Sequence, residues 1–164
     1  MKKINNKSKF NQCILTTSDL LHPEKYTGKY KQNITMRSSW ELAFVRYCDR
    51  NSNILEWSNE EKIVIYKSPI DHRNHRYFID FYIKVKQPSG KTKEFLVEIK
   101  PYNKTIKPVL TEKMQQKTKV TLVKEWGVNT AKWTAARSYA QQHNMIFKIV
   151  TEKDLLNIKD EKHT

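Results

Sequence analysis

Asp80, Glu98 and Lys100 are the residue types from which metal-assisted hydrolysis of a phosphate ester is built, and a tight turn brings them together. Pro88, Ser89 and Gly90 suit a three-residue hairpin loop, with Pro at the first type I position and Gly at the left-handed third. That loop sets Gln87 opposite Lys91. Counting outward, Tyr82 faces Leu96, Asp80 faces Glu98 and Phe78 faces Lys100. Opposed side chains on one face have Cβ atoms about 4.5–5.5 Å apart. Two carboxylates there repel unless one takes a proton or a cation binds between them. Hard oxygen donors at this spacing suit Mg²⁺, which keeps several waters and accepts phosphate oxygens. Lys100 shares the face of Glu98 because strand side chains repeat every second residue, so it can reach a water or phosphate beside such an ion. On the opposite face, Ile79, Phe81, Ile83, Phe95, Val97 and Ile99 read as continuous core.

The same residues have a purely structural reading. Asp80 can pair with Lys100 across the diagonal, Glu98 with a neighbouring Lys, and Glu41 suits the third position of a capping box opened by Ser38. The conjunction favours chemistry. The carboxylates sit among Phe78, Tyr82 and Leu96, beside a core-packed hairpin, in a chain with 31 Lys and Arg against 17 Asp and Glu. The resulting charge of +14 points to a polyanionic partner. No strongly amphipathic basic helix of the membrane-binding kind is apparent, so nucleic acid is expected rather than a membrane surface; the plain alternative is charge that serves solubility.

A chain of 164 residues is long enough to bury a core without staples. No stretch approaches the roughly 18 apolar residues of a membrane span, and the basic start Met1-Lys2-Lys3 has no apolar run behind it, so no signal peptide is expected. Cys13 and Cys48 are too few for a disulfide framework or a thiolate zinc site, which suits a reducing, intracellular setting. His72 and His75 have no convincing third zinc ligand. Trp126 and Trp133 stand at a spacing typical of helix core rather than of base stacking.

The elements that position these groups follow from pattern. Residues 1–31, with seven Lys against Asp19 and Glu24, read as a basic arm, extended or loosely packed, with a short helix near Ser18–Leu21. Residues 32–158 form the expected domain and 159–164 a flexible tail. Trp40, Ala43, Phe44, Tyr47 and Cys48 recur at helical spacing, so Ser38–Asp49 is a helix. Strands are expected at Ile54–Trp57, Lys62–Tyr66, Tyr77–Lys86, Thr92–Lys100 and Met145–Val150, with a polar loop over Asp71–Arg76. Thr111–Trp126 reads as a helix ended by Gly127, and Asn129 as the cap of another through His143. Thr151 to Asp154 caps a last short helix.

Glu41 on a helix, Asp80 in Tyr77-Phe78-Ile79-Asp80-Phe81, and Glu98-Ile99-Lys100 together resemble the PD-(D/E)XK nuclease superfamily. Ile79 stands where that pattern often has Pro. Arg37-Ser38-Ser39-Trp40-Glu41, the run Phe95 to Pro101, and Phe147 to Glu152 with Leu155 resemble the endonuclease subunits of heteromeric transposases, and more closely the head-completion nucleases of contractile-tailed phages, over about Tyr26 to Leu156. The resemblance implies an α/β fold with a restriction-endonuclease-like core, a mixed central β-sheet flanked by helices. It implies Asp80 and Glu98 as ligands of Mg²⁺, or of Mn²⁺ in its place, with the Ile99 carbonyl as a further ligand. Glu41 would complete the site directly or through a water, and Lys100 would orient the attacking water. It further implies DNA as substrate, portal or neck proteins as partners, and action in the host cytoplasm or on the virion. Arg37, Lys104 and Lys107 are the candidate DNA contacts. A transposase-type subunit, which would be expected to need a further domain, and a non-catalytic DNA-binding assembly factor are the alternatives; the latter sits poorly with an intact Glu41, Asp80, Glu98 and Lys100.

Overall fold

A computed structural model describes residues 12–160. In chain order the elements are β1 (Cys13–Leu15), β2 (Ile34–Met36), α1 (Ser39–Arg50), β3 (Ile54–Asn59), β4 (Ile63–Lys67), β5 (Asn74–Phe78), β6 (Phe81–Lys86), β7 (Thr92–Ile99), α2 (Gln116–Gln142), β8 (Ile146–Val150) and α3 (Glu152–Asp160). The central sheet has the order β3-β6-β7-β8. Its first three strands pair antiparallel, and β8 joins β7 in parallel, so the sheet is mixed, as expected. Two smaller antiparallel pairs, β1 with β2 and β4 with β5, stand beside it.

The β6–β7 hairpin has the expected register. Phe81 pairs with Val97 and Tyr82 with Leu96, continuing to Lys86 with Thr92. The turn closes through the Gln87 N–H donating to the Lys91 carbonyl at 2.7 Å and the Gly90 N–H to the Gln87 carbonyl at 2.9 Å, with Gly90 at φ +81°. Glycine reaches that left-handed backbone without a Cβ penalty.

Upstream, the expected single strand Tyr77–Lys86 is broken. β5 belongs to a separate ribbon, where Phe78 pairs with Ile63 rather than with Lys100. Ile79 still follows the ribbon, donating its N–H to the Lys62 carbonyl at 2.9 Å. The alternation therefore does not run through Ile79 and Asp80. Ile79 packs not with Phe81 but in the cluster of Val64, Tyr66, Tyr77, Tyr82 and Leu96. The sheet is apolar on both faces. Phe81, Ile83, Val97 and Ile99 pack with Phe44, Val45 and Cys48 of α1 and Leu155 of α3, while Tyr82 and Leu96 pack with Ala136 and Ala140 of α2.

Two helices expected on either side of Gly127 are one. α2 runs 27 residues through both Gly127 and Asn129. Gly in a helix interior costs about 1 kcal/mol relative to Ala, and here packing outweighs it. Trp133, Ala136 and Ala140 are buried along one face. Asn129 is buried within the helix rather than capping one.

Residues 12–31, expected to pack loosely, are held against the domain. The Asp49 carboxylate accepts from the Leu21 and His22 N–H groups, both at 2.8 Å. Tyr26 is buried against Trp57, with ring centroids 4.8 Å apart. Residues 1–11 of the expected arm and 161–164 of the expected tail lie outside the described residues. α3 extends through Asp160, past the expected boundary, and opens with the Thr151 N–H and hydroxyl both donating to Asp154. Cys48 is a fully buried core residue of α1.

A Cβ at position 90 would touch nothing within 4 Å, so Gly90→Ala tests backbone strain alone. It is expected to lower stability by about 1 kcal/mol, or roughly 2–4 °C in Tm, and Gly90→Asn by less, because Asn tolerates the left-handed region. Equal melting of all three proteins would show that the turn does not hold the hairpin register.

Candidate active site

Four elements converge where β6 and β7 leave their ladder. Asp80 stands in the two-residue link between β5 and β6, just past the last pair, Phe81 with Val97. One of its oxygens, Oδ2, accepts the Ile99 N–H at 2.8 Å, which pins the carboxylate across the end of β7. Glu98 is buried, only 5% exposed, so its charge needs partners. It has two: the Tyr77 hydroxyl donates to Oε2 at 2.6 Å, and Lys100 Nζ donates to Oε1 at 3.3 Å. Lys100 thus pairs with the acid on its own strand and not with Asp80.

Glu41 enters from the first turn of α1. Ser38 caps that helix, accepting the Glu41 N–H at 3.1 Å and donating its hydroxyl to Glu41 Oε1 at 3.0 Å. Glu41 Oε2 accepts the Arg37 N–H at 2.9 Å. The capping role open to Glu41 in the sequence is therefore filled, yet its charge still acts on Asp80.

The electrostatics of Asp80 follow from this crowding. Enclosure among protein atoms first, then the negative charges of Glu98 and Glu41, push its carboxyl well above the ordinary carboxylate range; the Ile99 N–H and Lys100 oppose them. Tyr77 is pushed upward too, by burial and by the charge of Glu98. It stays a neutral donor to that carboxylate.

The candidate DNA contacts are partly engaged. Arg37 grips Glu60 through two hydrogen bonds, at 2.9 and 3.2 Å. Glu60 lies in the left-handed region at φ 51° and donates its N–H to the Asp80 carbonyl at 3.1 Å. Lys104 is neutralised by Glu125 of α2 at 2.7 Å. Lys107 is exposed. Beyond Lys100, Tyr102 takes the Lys153 ammonium over its ring and donates its N–H to Glu152 at 2.8 Å, so the late Thr151-Glu152 motif ties α3 to the end of β7.

The donor set can be tested against a divalent ion. Among the described residues no group of three or more His, Cys, Asp or Glu is placed to hold a metal by itself. His75 instead pairs with Asp71 at 2.8 Å. Asp80 and Glu98 set up a charge conflict that Lys100 offsets only in part, since among the described residues its ammonium bonds Glu98 and the Arg37 guanidinium bonds Glu60. Two carboxylates, a peptide carbonyl such as that of Ile99, and water make the water-rich, all-oxygen set that Mg²⁺ accepts. The residues fit the ion.

Tyr77 and Glu60 are the site residues that sequence pattern does not single out. Both act across long separations, and only the alternation that puts Tyr77 on the inner face of β5 hints at the first.

Residues 51–152 match the model of the TnsA-like endonuclease N-terminal domain, which spans Asp80, Glu98 and Lys100 and begins after Glu41. The chain belongs to this endonuclease family. It is also 37% identical over 134 residues to the head completion nuclease of Enterobacteria phage T4, covering 80% of this chain and 86% of that protein.

The folded pKa of Asp80 lies above the ordinary 3.8. The folded state therefore holds this proton more tightly than the unfolded chain, and the stability tied to it falls as pH rises from about 4 through the raised pKa. In the presence of chelator at pH 7, Asp80→Asn keeps an acceptor for the Ile99 N–H and removes the conflict. Its Tm is expected to rise by roughly 2–4 °C, about 1 kcal/mol, with a flatter dependence on pH above about 4 than the parent. A lower Tm with an unchanged pH slope would mean that the Asp80 charge is well solvated.

Proposed function

We propose that the protein is a divalent-metal-dependent deoxyribonuclease that trims or cuts packaged DNA during completion of phage heads. The observation that carries this reading is the joint placement of Asp80, Glu98 and Lys100 at the end of one hairpin. The match over most of a head completion nuclease supports the biological setting. DNA is then the substrate, portal or neck proteins are the surfaces it meets, and the host cytoplasm or the assembling virion is where it acts. Among the described residues no helix is long and apolar enough to cross a membrane.

In this reading Asp80 and Glu98 hold Mg²⁺, or Mn²⁺ in its place, with the Ile99 carbonyl, and Glu41 completes the site through a water because both its oxygens serve the cap of α1. The bound ion supplies Lewis-acid polarisation of the phosphate and a more acidic water. Lys100, held by Glu98 Oε1, orients the attacking water and neutralises charge that develops on the non-bridging phosphate oxygens. Tyr77 fixes the rotamer of Glu98 from behind, as outer hydrogen bonds do for metal-binding carboxylates. Arg37 is bidentate toward Glu60, a geometry that a phosphate also satisfies, so it can take a neighbouring phosphate in exchange for that carboxylate.

Incubating supercoiled plasmid with Mg²⁺, Mn²⁺ or chelator is the direct test, with nicking expected only with metal. Glu98→Gln is expected to reduce nicking at least about a hundredfold while the protein stays folded and DNA-bound. Lys100→Ala is expected to lower cleavage by a similar factor and DNA affinity by less than about threefold. Full nicking by Glu98→Gln would falsify the metal-ligand role, and parallel losses of cleavage and binding in Lys100→Ala would make it a phosphate anchor instead.

A further inference from the structure

Among the described residues, the β4–β5 ribbon leaves one face without a partner. Its inner face, Val64, Tyr66 and Tyr77, is buried against Ala136 and Ala140 of α2. Its outer face is set by register. Ile63 pairs with Phe78, Ile65 with Arg76 and Lys67 with Asn74. Ile63, Ile65 and Phe78 are 39%, 56% and 42% exposed, which is unusual for three apolar side chains on adjoining strands. The Arg76 guanidinium lies 5.2 Å from the Phe78 ring centroid. Around this patch the ribbon carries exposed Lys67, Arg73 and Arg76 against Asp71, and His75 already takes that acid at 2.8 Å.

Two observations name the occupant. The charge is complementary to a polyanion. The ribbon also runs directly into the active site: Phe78 precedes Asp80 by two residues, so their Cα atoms are at most about 7 Å apart. Phosphates account for the cations but gain nothing from an exposed Phe and two Ile. A base released from the stack does, because every base has a face that packs on aromatic and apolar side chains, and an arginine beside the ring adds a cation–π contribution. In a continuous duplex those faces are covered by neighbouring bases.

The geometry points to the outer face of β4 and β5 as a binding surface for unpaired bases of DNA next to the cleaved bond, with Phe78 as the stacking platform and Arg76 as its cationic partner. The inference rests on the nuclease reading for its substrate but not on the chemistry of Asp80, Glu98 or Lys100. It makes single-stranded or forked DNA, rather than intact duplex, the preferred ligand of the ribbon.

Fluorescence anisotropy in chelator measures this without cleavage, using a labelled single-stranded oligonucleotide and the matched duplex. Phe78→Ala is expected to weaken single-strand binding about tenfold and duplex binding by less than about twofold. Phe78→Trp is expected to retain affinity and to show quenched tryptophan emission on binding. Arg76→Ala is expected to lower the salt slope by about one. Unchanged single-strand affinity in Phe78→Ala overturns the proposal. So does an equal loss on both ligands, which would place the ring in a groove, or an altered sedimentation coefficient with DNA binding intact, which would make the face a protein interface. Plasmid nicking by the parent protein is measured alongside. If the parent nicks while Phe78→Ala binds like it, only this inference falls; if the parent does not nick with any metal, the nuclease reading falls whatever Phe78 does.

Discussion

Asp80 and Glu98 are two acids held close together with too little water to screen them, and the rest of the site is arranged around that conflict. In water, unit charges at 4 Å interact by about 1 kcal/mol, and at the effective dielectric of a protein surface by about 4 kcal/mol. The fold answers only part of this. Glu98 receives a phenol and an ammonium. Asp80 receives one backbone N–H, and its carboxyl is driven upward. Groups with shifted pKa values of this kind cluster at functional sites, where stability is given up for chemistry. The unresolved share of the charge is what a bound cation would relieve, so in the proposed function affinity for an ion and instability without it would have one cause.

The break between β5 and β6 is what makes this placement possible. Had Tyr77 to Lys86 run as one strand, Ile79 would face the α1 side and Phe78 would lie beside Lys100. Instead the chain leaves the ribbon at Ile79 and enters the sheet at Phe81. Asp80 sits in the step, with its carbonyl bonded to Glu60 and its carboxylate to Ile99. Tyr77 is thereby freed to reach Glu98 from the α2 side. One irregular pair of residues joins the ribbon, the sheet and, through Glu60 and Arg37, the start of α1.

What the sequence shows and what it hides divide along the range of the interactions. The Pro88-Ser89-Gly90 turn, the pairing from Phe81 to Lys86, and the caps at Ser38 and Thr151 are local, and residue type and spacing suffice to place them. So does the shared face of Glu98 and Lys100, which needs only strand periodicity. The expected strand through Ile79 fails because alternation cannot reveal where a chain changes partners. The expected stop at Gly127 fails because its local cost is smaller than what the Trp133, Ala136 and Ala140 face gains by burial. The loosely packed reading of residues 12–31 fails for the same reason: lysine content says nothing of Tyr26 against Trp57 or of the two backbone N–H groups on Asp49. Tyr77 with Glu98, Arg37 with Glu60 and Lys104 with Glu125 join residues more than twenty positions apart, beyond any local signal.

Those last pairs also bear on how a chain with a charge of +14 meets DNA. Lys104 is half-buried in its pair with Glu125, so it lends rigidity to the segment after Lys100 more readily than it lends charge. Arg37 differs. Its side chain is 60% exposed and that of Glu60 36%, and an ion pair so open to solvent is worth at most about 1 kcal/mol. A phosphate offers the same two-pronged acceptor with greater charge, so the exchange needs little driving force. It would also free the Glu60 carboxylate while leaving its N–H on Asp80. The left-handed backbone of Glu60, unusual for a residue with a Cβ, is what allows one residue to hold Arg37 with its side chain and Asp80 with its main chain. In the proposed function, loading of the DNA backbone would thereby reach the residue whose main chain is bonded to Asp80, with no need for any larger movement of the fold.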